Sequence, residues 1–206
     1  MVTVNKHLGR YEVPTDTKGG VCVDIGANGS MFFTTYAAHF SRIYFYEPLK
    51  EAFEVASQRA KAYPHIEGFN VAVSKETGDT VTLFIHNNND AGSTSVGTDK
   101  NTRLESDWQK GEHQTAKTVS IEDIITTAGG HIDYCKMDCE TSEYDILMGK
   151  DLRQIKNIGI EMHCQLGKEN WNDLIAHILK THDCARNRNV GYSANHNLEF
   201  LFQRRE

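Results

Sequence analysis

The stretch Val21–Ser30, VCVDIGANGS, constrains this chain more than any other. An apolar, β-rich run, Val21-Cys22-Val23, passes through Asp24-Ile25 into a turn of small residues, Gly26-Ala27-Asn28-Gly29, and an apolar segment with helical spacing follows. A buried strand that runs through glycines into a helix lets a ligand come close to backbone N–H groups, because no Cβ stands between them. The expected architecture is a doubly wound, mostly parallel, Rossmann-like α/β sheet with a nucleotide-type site at the carboxyl ends of its strands.

Glycine spacing sorts the ligand classes. A dinucleotide fingerprint needs G-x-G-x-x-G, with a pyrophosphate at the helix N-terminus. Here the glycines stand at 26 and 29, and Asp24 occupies the place of the first. A carboxylate there repels a pyrophosphate and suits a cationic ligand, which weighs against an NAD-dependent dehydrogenase. D-x-G-x-x-G after a strand resembles motif I of class I methyltransferases, which bind S-adenosylmethionine (SAM), a sulfonium carrying an ammonium. Further on, Arg42–Glu47, RIYFYE, is a β-rich run ended by Pro48. It sets Glu47 at the carboxyl end of a second strand, where an acid about 20 residues past the turn accepts ribose hydroxyls.

The 206 residues suit a single domain, 1–206. Residues 1–20 are polar, with Pro14, Gly19 and Gly20 as breakers, and read as an N-terminal arm. A net charge of −6 argues against a nucleic-acid partner. Of the five cysteines, Cys22, Cys135, Cys139 and Cys164 fall in or beside apolar runs and read as reduced core residues. With no C-x-x-C, signal segment or long apolar span, a cytoplasmic protein without a membrane segment is expected.

Met31–Phe40 places Phe32, Phe33, Tyr36, Ala37 and Phe40 on one helical face, and Leu49–Tyr63 reads as a second helix closed by Pro64. His65–Ser74 is a third strand candidate and Thr80–His86 a fourth. Their connection is too short for a helix, so the pair reads as a β-hairpin-like addition. Residues 87–117 form a long polar stretch, either a lid or substrate loop or a surface insertion. Val119–Thr127 reads as a brief strand leading into a short helix, with Glu122 and Asp123 in its first turn. His131–Cys139 is a strand whose end delivers Asp138 and Glu140, on one face by alternation; Ser142–Met148 is a helix. Ile158–Cys164 is a strand with Glu161 and His163 on one face, followed by a helix over Trp171–Thr181 and a strand over Leu198–Phe202. Ala185–Tyr192 is a candidate for one more edge strand.

The blocks VDIGANGS, YFYEP, FNVAVS, VSIEDII, CKMDCETSEYDILMG and IGIEMHC stand in the order found in the FkbM-type methyltransferase family, which the chain resembles from about Val21 to His163. Two positions depart from that pattern: Thr141-Ser142 follows Glu140 where the family tends to have glycine, and Ser30 falls near a common second motif-I glycine. The resemblance implies SAM-dependent methylation, most often of oxygen in a sugar, glycan or natural-product acceptor. It implies that Asp24, Gly26, Asn28 and Gly29 surround the methionine and ribose part of SAM, with Glu47 on the ribose diol. Ala72 and Val73, with Asn70 nearby, would line the adenine, whose usual acid after the third strand is absent. Ser95 would lie in a serine-rich stretch, Ser93 to Ser95, bordering the cofactor.

Methyl transfer from a sulfonium needs an acceptor held in line and, for an alcohol, a base for its proton. His163 or Glu140 is the candidate base, and Asp138 orients SAM or the acceptor. The same neighbourhood, Asp138, Glu140, Glu161 and His163, carries ligand types for a divalent metal, a possibility not favoured over local hydrogen bonding. The alternative to an enzyme is a degenerate methyltransferase fold that binds SAM, its product or a partner without turnover. A homo-oligomer, with a neighbouring subunit completing the pocket, is compatible with the short arm.

Overall fold

The computed structural model describes residues 11–85, 94–97, 113–140, 142–162, 168–190 and 197–206. Its centre is a seven-stranded sheet. The strands that build its parallel part are β1 (Val21–Ile25), β2 (Arg42–Tyr46), β3 (Ile66–Phe69), then β8 (Tyr134–Met137) and β9 (Asn157–Met162). Between β3 and β8 the chain makes a second sheet from β4 (Ala72–Val73), β5 (Thr80–Ile85), β6 (Thr94–Gly97) and β7 (His113–Val119). The central sheet is completed by β10 (His182–Val190) and β11 (Asn197–Arg204), in the order β10-β11-β9-β8-β1-β2-β3. β11 runs antiparallel to β9, and β10 antiparallel to β11. β10 is the edge strand read over Ala185–Tyr192, as far as Val190.

Strand side chains alternate between two apolar layers. One face, with Val23, Ile25, Met137 and Ile160, packs on α3 (Ile121–Thr127), α4 (Glu143–Leu147) and α5 (Lys168–Ile178) through Ile124, Leu147, Trp171 and Leu174. The other face, with Cys22, Ile43, Phe45 and Tyr134, packs on α1 (Met31–Tyr36) and α2 (Lys50–Ala60) through Phe33, Tyr36 and Ala56. The aromatic face of α1 lies buried as its spacing requires, with Phe33 stacked 4.7 Å from Phe45. α3 starts at Ser120, whose side chain accepts from the Asp123 amide, with Glu122 and Asp123 in the first turn as read. The arm from Tyr11 is folded: Tyr11 and Val13 are buried in the second layer, and a 3-10 turn spans Thr15–Thr17.

Three readings of the middle of the chain are corrected. His65–Ser74 is two strands, not one: β3 pairs with β2, and after Asn70 the chain leaves for β4, which pairs with β7. β4 and β5 do not form a hairpin, because β7 lies between them, parallel to β4 and antiparallel to β5. The antiparallel pair next in sequence is β5 with β6. Residues 87–117 are therefore not wholly loop, since they contain β6 and the start of β7. Backbone pairing with a distant partner overrides the weak local pattern of such polar strands. No helix among the described residues is long and apolar enough to cross a membrane.

Candidate active site

At the carboxyl ends of β1, β2 and β8, the crevice where such a sheet takes its ligand, lies an open cleft of about 680 Å³, counting its solvent-open part. One wall is the glycine turn, with Gly26 and Asn28; a second is Glu47-Pro48-Leu49; a third is Asp138 to Glu140 with Ser142. Ala72, Val73 and Leu83 of the second sheet close it with an apolar surface. That sheet thus positions the site as well as flanking it.

The turn is fastened to β2, for the Gly26 and Ala27 amides donate to the Tyr46 carbonyl at 3.0 and 3.2 Å. Gly26 has φ +72°, and a Cβ there would stand 1.9 Å from the Asp138 carbonyl oxygen, so only glycine fits. Asn28 and Ser30 also hold positive φ, at 46° and 70°. The place where a second glycine is common is indeed left-handed, and Ser30 occupies it at a cost of about 1–2 kcal/mol. Arg59 of α2 braces this bend by donating to the Gly29 carbonyl.

Glu47 is 5% exposed and lines the cleft. Its Oε2 accepts from the Asn28 amide at 2.7 Å and its Oε1 from the Leu49 amide at 2.9 Å. Each oxygen retains a lone pair, so the fixed carboxylate can accept two neighbouring hydroxyls. Burial pushes its pKa up, and the two amides only partly offset this. Asn70 holds this loop: its amide nitrogen donates to the Glu47 and Pro48 carbonyls at 2.9 and 3.0 Å.

Asp24 does not reach the cleft, contrary to the sequence reading. Alternation turns it to the α1 face, where it is 0% exposed and opposite Lys136 in register. The Lys136 Nζ lies 3.1 Å from its Oδ1, and donates to the Gly26 and Ile25 carbonyls at 2.6 and 3.3 Å. Burial pulls the Lys136 pKa down, but the Asp24 and Asp138 carboxylates outweigh it and keep the ammonium charged. The aspartate of the motif is thus a buried counter-ion joining β1 to β8.

Asp138 lines the cleft and accepts from the Tyr11 hydroxyl at 2.8 Å; the same hydroxyl stands 3.4 Å from Oε2 of Glu161, itself 1% exposed. Glu140 also lines the cleft, but strand alternation with Asp138 fails, because β8 ends at Met137 and Glu140 has φ +48°. Glu143 fixes this bend, accepting from the Cys139 amide at 3.0 Å. His163 lies outside the described residues, and so does the side chain of Ser95, whose backbone on β6 pairs with Phe84 of β5. Ala72 and Val73 line the cleft, and Gly29 sits in the turn with its nearest outside neighbour Arg59. Among the described residues no group of three or more His, Cys, Asp or Glu is placed to hold a metal ion. Lys136, Glu143 and Tyr11 were not singled out by sequence. Lys136 and Glu143 stand inside the CKMDCETSEYDILMG block, which was signal enough; Tyr11, in a polar arm, carried none.

A model of the FkbM methyltransferase domain family matches residues 24–194. A search of the curated proteins gives no match. Among solved structures, the chain is similar in fold to M. capricolum TrmK in complex with S-adenosyl-homocysteine, with a TM-score of 0.51 and 8% identity over 89% of this chain and 62% of that one. It is similar to an rRNA methylase from Streptococcus thermophilus, with a TM-score of 0.51 and 8% identity over 93% and 92% of the two chains. It is also similar to methyltransferase FkbM from Methylobacillus flagellatus KT, with a TM-score of 0.50 and 15% identity over 87% of this chain and 42% of that one. The chain thus spans less than two thirds of the TrmK and FkbM chains. At such identities the likeness is one of fold, and it agrees with the doubly wound sheet. The family match runs from Asp24 of the glycine turn past β9 and α5, and this chain belongs to the FkbM methyltransferase domain family.

Proposed function

We propose that the chain is a SAM-dependent methyltransferase acting on a hydroxyl oxygen of a small acceptor, such as a sugar, glycan or natural-product-like molecule. The observation that carries this is Glu47, a carboxylate held by two backbone amides in the cleft beside the Gly26 turn. It has the remaining acceptor capacity a ribose diol requires, and the apolar wall of Ala72, Val73 and Leu83 suits a flat heteroaromatic base. Asp138 and Glu140 at the opposite wall suit the positive charge of the donor and the proton of the acceptor.

Bound SAM supplies a methyl group already activated on sulfur. What remains for the chain is to hold an acceptor oxygen in line and take its proton. Asp138 orients the donor or acceptor, and Glu140 or His163 is the base. A small acceptor is favoured over RNA by the net charge of −6, since phosphate binding needs a basic surface; one of the structural neighbours, the rRNA methylase, is nonetheless named for RNA, so RNA belongs in any acceptor screen.

The test has two stages. Calorimetric titration with SAM and S-adenosyl-homocysteine should show saturable binding that Glu47→Gln weakens. A mass-spectrometric screen of alcohols, amines and RNA should then find methylation on oxygen. Binding without any methylated product would favour a SAM-binding module without turnover, which the left-handed Ser30 in the turn would suit. Failure of either ligand to bind would end the SAM reading.

A further inference from the structure

We propose that Tyr11, supplied by the N-terminal arm, is a positioning residue of this site: its hydroxyl holds the Asp138 carboxylate toward the cleft, in preference to the more distant Glu161. The proposal rests on the SAM reading above and adds a residue that lies outside the matched family segment, residues 24–194.

The argument begins with alternation. On the face of the central sheet that the arm covers, β1 presents Asp24, β8 Lys136, β9 Glu161 and β11 Glu199, all buried. Glu161 and Glu199 stand opposite each other in register. Charged groups so placed need polar partners, and the arm brings one. The Tyr11 ring lies 5.5 Å from the Lys136 ammonium and meets Phe32 edge-on at 6.0 Å. Its backbone carbonyl accepts from the Tyr36 hydroxyl at 2.9 Å, and the next residue, Glu12, pairs with Arg186 of β10. Ring and backbone are therefore fixed independently of the hydroxyl. What the hydroxyl adds is direction: 2.8 Å to Asp138 Oδ2 on one side, 3.4 Å to Glu161 Oε2 on the other.

Asp138, just past the end of β8, is faced by Lys136 on β8, Asp24 on β1, Glu161 on β9 and Tyr11 from the arm. A hydroxyl donor stabilises the ionised carboxylate and selects one rotamer of it. Loss of the donor should loosen the side chain that lines the cleft and let it take up a proton at higher pH. Tyr11→Phe removes only the oxygen, keeping the ring against Phe32 and Lys136.

Calorimetry with SAM and S-adenosyl-homocysteine, from acidic to neutral pH, on wild type, Tyr11→Phe, Asp138→Asn and the double variant tests this. The expected result is that Tyr11→Phe weakens binding about tenfold near neutrality, moves the acid limb of the affinity profile to higher pH, and has no added effect in the Asp138→Asn background. Wild-type affinity with an unmoved acid limb in Tyr11→Phe would overturn the proposal. An equal loss in both backgrounds would overturn it too, as the mark of a merely structural role. If Tyr11→Phe fails to fold, a ring-fluorinated tyrosine at position 11, a stronger donor of the same shape, carries the test: the acid limb should move to lower pH, and an unmoved limb would be equally fatal. Binding by wild type with no effect of Tyr11→Phe removes this proposal alone, whereas no binding by wild type removes the SAM reading with it.

Discussion

Glu47 and Gly26 do different work at one wall of the cleft. Glu47→Gln keeps the shape but loses the charge, and binding of SAM should weaken by about 10–100-fold in calorimetry, the range for hydrogen bonds to a charged group. The pH dependence follows from burial, which sets the Glu47 pKa above its ordinary 4.5. Ribose hydroxyls donate to the ionised form, so affinity should fall as pH drops through that raised value, and Glu47→Gln should flatten the fall. For folding the sign is opposite: the raised pKa stabilises below 4.5, and that contribution is lost as pH rises through the folded value. The two glycines of the turn, alike in sequence, should part company on substitution. Gly26→Ala meets the Asp138 carbonyl at 1.9 Å in a left-handed conformation and should cost more than about 2 kcal/mol by urea denaturation. Gly29→Ala finds its nearest atom 3.9 Å away and should stay within about 0.5 kcal/mol.

Between elements, the Asp24–Lys136 pair ties β1 to β8 beneath the cleft. Both side chains are nearly inaccessible, at 0% and 5%. Removing one partner strands a buried charge, so Lys136→Met or Asp24→Leu should cost about 3–5 kcal/mol. The double variant Asp24→Leu/Lys136→Met should be more stable than either single one, as read from a denaturation cycle. Additive losses would show that the two charges do not compensate each other. This pair was half legible in the chain. Period-two alternation puts Asp24 on the face opposite Val23 and Ile25, but nothing local says that β8 would bring a lysine to meet it. The polar strands of the second sheet were less legible still. β4 has two residues and β7 reads HQTAKTV, and patterns so short or so polar acquire their meaning only when paired.

For the molecule as a whole, the sheet's antiparallel edge carries a pH sensitivity away from the site. His182 is fully buried; its Nε2 lies 2.9 Å from the Ile155 carbonyl and its Nδ1 2.8 Å from the Thr181 hydroxyl. A ring that donates through Nε2 and accepts at Nδ1 is neutral, and burial lowers its pKa below the ordinary 6.5. The unfolded chain therefore binds the proton first, and stability present above pH 6.5 should be lost as pH falls toward the folded value. Thermal unfolding across that range should show a falling midpoint that His182→Gln flattens.

What the sequence determined by itself is what short-range rules control. Alternation and helical spacing located the strands and the aromatic face of α1; the glycine turn and the acid before Pro48 located the cleft; six blocks in order named the family. Each depends on a few adjacent residues and on the geometry of their own backbone. The tertiary structure decided which partner each polar group meets. Asp24 turned to Lys136 and away from the cleft, Glu140 left the alternation of β8 at a positive φ, and Tyr11 came from a patternless arm to stand between Asp138 and Glu161. A buried charge takes its character from whatever is brought beside it, and the residues brought beside these lie far away along the chain.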